Sequence, residues 1–225
     1  MPPMSMTVAV IVAMAITYFV CGIPFGLIVA SRMGGIDVRK VGSGNIGTTN
    51  VARSVGAGAA GVTFLLDVAK GVVCTLVARM VFARLFAQGD LSAMAPSQEL
   101  GFMVSWVYLA TIVGHVFSCY LGFHGGKGIA VGLGGALGFI PVAGLLALAC
   151  FIAVVAATRY VSAGSITAAI VLPIWTLVFY HPRTWALVPI LIVACIVVWA
   201  HRGNIKKLMA GNENKLSFHK KGDVA

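Results

Sequence analysis

The strongest constraint on this chain is a succession of apolar runs, several of them long enough to cross a bilayer, separated by loops too short to fold alone. The runs cover about 8–30, 55–86, 100–120, 129–140, 142–158, a stretch ending near 180, and 185–199. A transmembrane helix needs about 20 mostly apolar residues, so seven crossings consume most of the 225 residues. With 60% hydrophobic and only 10% charged residues the chain is too apolar for a soluble domain of this size. The expectation is an all-α integral membrane protein of about seven transmembrane helices, with residues 1–225 forming a single transmembrane domain. Any chemistry must sit on helix ends and short loops.

The segment before the first run lacks a basic region, and the run is too long for a cleaved signal, so it is read as a retained span. Pro24, near the middle of Cys-Gly-Ile-Pro-Phe-Gly, should kink it. The five cysteines stand singly, without metal-ligand spacing, so neither disulfides nor a metal is indicated. The net charge of +10 comes from basic residues dispersed over loop ends rather than gathered on one face, which argues against a nucleic-acid partner. It fits the excess of cationic residues in cytoplasmic segments. The tail after His201, with Arg202, Lys206, Lys207, Lys215, Lys220 and Lys221, then lies in the cytoplasm. Seven crossings put the N-terminus outside and bring residues 42–53, residues 125–128 and the tail to the same cytoplasmic side.

Two polar loops interrupt the apolar pattern. Gly42, Gly44 and Gly47 permit left-handed backbone and an anion-binding nest, with Ser43, Asn45, Thr48, Thr49 and Asn50 as short polar groups and Arg53 as a planar cation. Gly125-Gly126-Lys127-Gly128 repeats that chemistry, and two such loops suggest two anions. The second is no Walker loop, since the Gly-x-x-x-x-Gly-Lys spacing is missing. Asp67 and Lys70 lie three residues apart on one face of the second span, where each would cost roughly 2.5–3.5 kcal/mol facing lipid, so they face protein, water or each other. His115 and His201 each end a span, and Asn204 and Glu213 follow in the tail. No Ser-His-Asp set is readable, and no histidine is followed by the His-x-x-x-x-Asp signature of acyl-CoA-dependent glycerolipid acyltransferases.

Three stretches resemble the bacterial acyl-phosphate:glycerol-3-phosphate acyltransferases, the PlsY family. They are Ser43-Gly-Asn-Ile-Gly-Thr-Thr-Asn-Val-Ala-Arg53, the run from Gly114-His-Val-Phe to Gly125-Gly-Lys-Gly-Ile-Ala130, and His201-Arg-Gly-Asn-Ile-Lys-Lys-Leu-Met-Ala-Gly-Asn-Glu213. Asp67-Val-Ala-Lys-Gly71 matches a fourth element, and the hydrophobic profile agrees over nearly the whole chain. Ser118 stands where a proline is expected, and Ala200 where an arginine is frequent.

The resemblance implies a seven-helix enzyme of the bacterial cytoplasmic (inner) membrane with its site facing the cytoplasm. It would transfer a fatty acyl group from acyl phosphate to the 1-hydroxyl of glycerol 3-phosphate, in phospholipid synthesis, without a cofactor. Its partners would be those two substrates and membrane lipid, with a functional link to the enzyme that makes acyl phosphate. By the same resemblance Ser43, Asn45, Thr49 and Arg53 hold one phosphate, Lys127 with the Gly125–Gly128 backbone forms an anionic site at the reacting centre, and His201 and Asn204 contact glycerol 3-phosphate. Asp67, Lys70 and Glu213 join the substrate-binding set. The proton of the attacking hydroxyl could pass to His115, to His201 or to a phosphate oxygen, and the sequence leaves the three open. The competing reading is an organic-anion transporter whose glycine loops line a permeation path, against which stands the lack of a convincing internal duplication.

Overall fold

The computed structural model describes residues 5–216; Lys220 and Lys221 of the basic tail lie outside the described residues. Among the described residues ten α-helices follow in order: α1 (Met6–Gly22), α2 (Phe25–Gly34), α3 (Thr48–Ser54), α4 (Ala57–Phe86), α5 (Gly101–Val116), α6 (Ile129–Phe139), α7 (Pro141–Thr158), α8 (Val161–Tyr180), α9 (Thr184–Ala200) and α10 (Arg202–Met209). No strand occurs among the described residues. Each of the seven apolar runs is helical, but fewer than seven reach crossing length. Five helical stretches are long and apolar enough to span a bilayer, or six if α9 and α10, bent by 55°, count as one. α6, with 11 residues, falls short of a standard crossing.

The first span breaks at Ile23 and Pro24, between α1 and α2, because proline cannot donate to the helix ladder and its ring crowds the preceding turn. The carbonyls released there are claimed from elsewhere in the chain. Ser118 Oγ donates to Gly22 O at 2.7 Å and Lys70 Nζ to Ile23 O at 2.9 Å. Where a proline was expected, Ser118 thus ties the loop after α5 to the end of α1.

α5 is the central helix, packed against α1, α4, α6 and α9. α4 meets α6 through glycines: a Cβ at Gly71 would collide with Val131 O, and one at Gly134 with Val68 O. Such small-residue seams let membrane helices approach closely enough for dispersion to hold them. α4 also turns its polar groups inward, with Asp67 and Lys70 buried while Leu65, Val73 and Met80 are exposed. That is the polarity of a helix facing lipid outside and a polar interior.

Candidate active site

Residues 43–53, the loop before α6, the start of α8, and the α9–α10 junction with the segment after α10 enclose one polar cavity of about 330 Å³. Its wall carries the cations Arg53, Lys127 and Lys207 and the carboxylates Asp67 and Glu213. Buried polar atoms are normally hydrogen-bonded. Among the described residues five buried side-chain atoms are not, and four of them, Thr48 Oγ1, Asp67 Oδ1, Ser162 Oγ and Glu213 Oε2, belong to residues lining this cavity. Asp67 Oδ1 meets Lys70 Nζ at 2.8 Å as an ion pair outside hydrogen-bond geometry.

The first glycine loop is held by Asn50 from within α3. Its Nδ2 donates to Val38 O, Val41 O and Asn45 O at 3.0, 3.1 and 2.9 Å, and its Oδ1 accepts from Ser43 N at 2.9 Å. Gly42 and Gly44 take positive φ, 58° and 70°, as the turn requires. A side chain at 42 would strike Asn50 Oδ1. The N–H of Gly47 donates to Asn45 Oδ1 at 2.8 Å and that of Gly44 to Val41 O at 3.0 Å. The expected backbone nest is therefore closed at Ser43, Gly44 and Gly47, whose N–H groups are spent within the loop, and Gly42 and Gly44 do not line the cavity. Side chains take over: Ser43, Asn45, Thr48, Thr49 and Arg53 line the wall. Asn50 reaches the wall as well, but its amide is fully engaged in the loop. Asn50→Ala removes all four bonds and is expected to cost about 3 kcal/mol, read as a fall in Tm of the detergent-solubilised protein; Asn45→Ala should cost clearly less.

The second loop is corrected in the same way. Gly125 N donates to Val116 O at 3.0 Å and Gly126 N to His115 O at 3.1 Å, so neither is free for an anion, and neither glycine lines the cavity. Their role is close approach, since a Cβ at Gly126 would collide with His115 Nε2. Gly128, at φ 83°, starts α6 and does line the wall, as does Lys127. Burial pulls the Lys127 ammonium below the ordinary lysine range; Glu213 opposes that shift, while Lys207 and Arg53 reinforce it.

Lys127 Nζ donates to Asn204 Oδ1, and Asn204 Nδ2 donates to Glu213 Oε1 at 2.9 Å. Arg53 Nη2 approaches Asn214 O at 3.5 Å, and Leu216 N donates to Arg159 O at 2.7 Å, so the segment after α10 folds back along the cavity. His201, 3% exposed, donates from Nδ1 to Val197 O at 2.8 Å; a carbonyl only accepts, so the neutral ring keeps Nε2 as an acceptor. Asp67 and His115 line the cavity, but Lys70 does not. It stands behind them, which moves it out of the substrate-contact set expected from the sequence.

Ser162, Ser165 and Asn214 also line the wall and had no assigned role in the sequence reading, while Lys207, read there only as part of the basic tail, joins them. Ser162 and Ser165, spaced i,i+3 at the start of an otherwise apolar span, are the signal that finds them. A second cavity, about 130 Å³ and almost wholly apolar, runs between α5, α6, α7, α8 and α9. Phe64, Gly128, Ile129 and Phe151 line both cavities, so the polar site directly adjoins the apolar one.

Residues 11–211 match the family model for glycerol-3-phosphate acyltransferase. The glycerol-3-phosphate acyltransferase of Geobacter sulfurreducens is 43% identical over 204 residues, spanning 89% of this chain and 94% of that protein. That of Thermosynechococcus vestitus is 38% identical over 214 residues, covering 94% and 98%. Among solved structures, the integral membrane glycerol 3-phosphate acyltransferase PlsY (YgiH) in its glycerol 3-phosphate form superposes with a TM-score of 0.79 at 29% identity, covering 92% of this chain and 96% of that one. Its lysophosphatidic acid form gives 0.77 at 28% identity. The chain belongs to the glycerol-3-phosphate acyltransferase family.

Proposed function

We propose that this protein transfers a fatty acyl group from acyl phosphate to the 1-hydroxyl of sn-glycerol 3-phosphate, giving 1-acyl-glycerol 3-phosphate and inorganic phosphate in bacterial phospholipid synthesis. The single observation that carries the reading is the junction of the cation-lined cavity with the hydrocarbon-lined one. An acyl chain gains about 0.8 kcal/mol per buried methylene by staying in the apolar cavity, while two phosphate groups need the cations of the polar one. A phosphate leaving group and glycerol 3-phosphate both suit a cation-lined space of about 330 Å³.

In the reaction the glycerol hydroxyl oxygen bonds to the carbonyl carbon, the bond from that carbon to the bridging phosphate oxygen breaks, and phosphate departs with the electron pair. Ser43, Asn45, Thr49 and Arg53 hold one phosphate. Lys127 neutralises charge at the reacting centre, fixed there by Asn204 and Glu213. His201, with Nε2 as acceptor, takes a hydrogen bond from the glycerol part, and the hydroxyl proton ends on released phosphate. Because the donor is an activated anhydride, most of the acceleration is assigned to positioning and electrostatics.

The chain acts as one transmembrane domain over residues 1–225, crossing seven times with α6 as a short, glycine-rich span, the N-terminus outside and the site facing the cytoplasm of the inner membrane. It draws acyl phosphate from the enzyme that makes it. The donor is tested by giving purified protein glycerol 3-phosphate with acyl phosphate, acyl-CoA or acyl carrier protein thioester of one chain length. Lysophosphatidic acid from acyl phosphate alone is expected; equal rates from a thioester would overturn the assignment.

A further inference from the structure

We propose that Lys70 is a positioning residue which keeps His115 protonated on Nε2, so that His115 serves as a hydrogen-bond donor to the acyl carbonyl oxygen. The proposal rests on the acyl-transfer reading of the site for the identity of that oxygen. It does not rest on that reading for the state of the imidazole.

Lys70 is 5% exposed, and its ammonium meets three groups: Ile23 O at 2.9 Å, Asp67 Oδ1 at 2.8 Å and His115 Nδ1 at 3.2 Å. The break between α1 and α2 supplies the first, and the ring of Phe25, 5.4 Å away, lies beneath the charge. An ammonium has donors and no lone pair. His115 Nδ1 must therefore accept, and the neutral ring carries its proton on Nε2.

Asp67 Oδ1 is 3.9 Å from the same Nδ1. A carboxylate facing Nδ1 directly would draw the proton there and leave Nε2 bare, which is the arrangement that makes histidine a general base. Lys70 contacts both groups, engaging Nδ1 itself and pairing with the carboxylate, and so inverts that arrangement. The two cavity histidines are then complementary. His201 offers an acceptor because Val197 O holds its Nδ1–H, and His115 offers a donor because Lys70 occupies its Nδ1.

Position assigns the donor to the acyl carbonyl. α5 places Tyr108 and Ile112 on the apolar cavity and His115 on the polar one. Ile112 and His115 are three residues apart, about 4.5 Å along the helix axis. An acyl chain lying along Ile112 therefore brings its carbonyl to the level of His115. Gly126 packs directly against Nε2, where a Cβ would collide with it, so any larger residue at that position would cover the N–H. An N–H aimed at the carbonyl oxygen strengthens its bond as negative charge gathers there during attack.

The test uses full-length protein in lipid nanodiscs with 15N-labelled histidine, resonances assigned by His115→Gln. In the wild type His115 should show a protonated Nε2 and a hydrogen-bonded, bare Nδ1. Lys70→Met should reverse the two and lower kcat about a hundredfold, with KM for glycerol 3-phosphate within about twofold. Gln at 115 presents its own amide N–H irrespective of tautomer, so adding Lys70→Met to His115→Gln should cost less than about threefold. Should Lys70→Met fail to fold around the unpaired Asp67, Asp67→Asn with Lys70→Met removes both charges together. That pair should lose the single wild-type tautomer and show the same relief in the His115→Gln background. An unchanged tautomer, or a Lys70 penalty as large in the His115→Gln protein as in the wild type, overturns the proposal. Failure of the acyl-transfer reading would instead appear as absence of product from the wild type, with the tautomer still readable.

Discussion

Replacing Lys127 by Met is expected to lower kcat/KM for acyl transfer by about 10³-fold while shifting Tm little. The ammonium sits on the wall of the polar cavity, hydrogen-bonded to Asn204 and facing Arg53, Lys207 and Glu213. Charge on the reacting oxygens and on the departing phosphate develops beside a cation already held in place, so losing it costs more than losing a mobile charge at a surface. Folding should be nearly indifferent, because burial disfavours the charged form in the absence of substrate, as its lowered pKa reflects. Lys127→Arg should rescue poorly, since a planar fork cannot take the place of a compact ammonium between Gly126 and Gly128 without displacing Asn204. Steady-state kinetics with a thermal melt of each variant separates the two effects; a parallel loss of Tm would reassign Lys127 to structure.

The largest structural effect is expected from Gly134→Val. A Cβ at 134 would overlap Val68 O on α4, and backbone cannot move aside as a flexible side chain can. α6 would have to withdraw from α4, opening the seam beside Asp67 and Lys70 and dragging the Lys127 loop that precedes α6. We expect no monodisperse, cooperatively melting protein and no activity. Gly61→Ala on the same α4 is the control, because nothing lies within 4 Å of the added Cβ. There the change should be neutral or slightly stabilising, as Ala outranks Gly in helices.

How far the sequence carried the structure depended on the range of the interactions concerned. Apolar runs specify helices because every backbone group in lipid must be satisfied within its own segment, and each run is indeed helical. Crossing length was less legible at α6, where glycines serve close packing against α4 rather than span length. The glycine loops were legible as special backbone, and Gly42, Gly44 and Gly128 do take positive φ. Which N–H groups stay free was not legible, because it is decided by distant carbonyls: His115 O and Val116 O consume those of Gly126 and Gly125. The same holds for Lys70. Its pairing with Asp67 follows from an i,i+3 spacing, whereas its contact with His115 bridges 45 residues of sequence. Ser162 and Ser165 are not legible as site residues because serine in an apolar helix usually bonds back to its own turn, as Ser165 does with Val161 O at 2.9 Å. Ser162 Oγ is left without such a partner at the cavity wall.

The most direct measurement supplies purified protein with acyl phosphate carrying 18O in the bridging position, with and without glycerol 3-phosphate, and weighs the released phosphate by mass spectrometry. Attack of the glycerol hydroxyl on the carbonyl carbon at the junction of the two cavities predicts acceptor-dependent phosphate that retains the 18O, matched mole for mole by lysophosphatidic acid and suppressed in Lys127→Met. Phosphate released equally without acceptor would mean that water, not glycerol 3-phosphate, takes the acyl group at this site, and label left in free fatty acid would mean that the bond broken is the one to phosphorus; either contradicts the account.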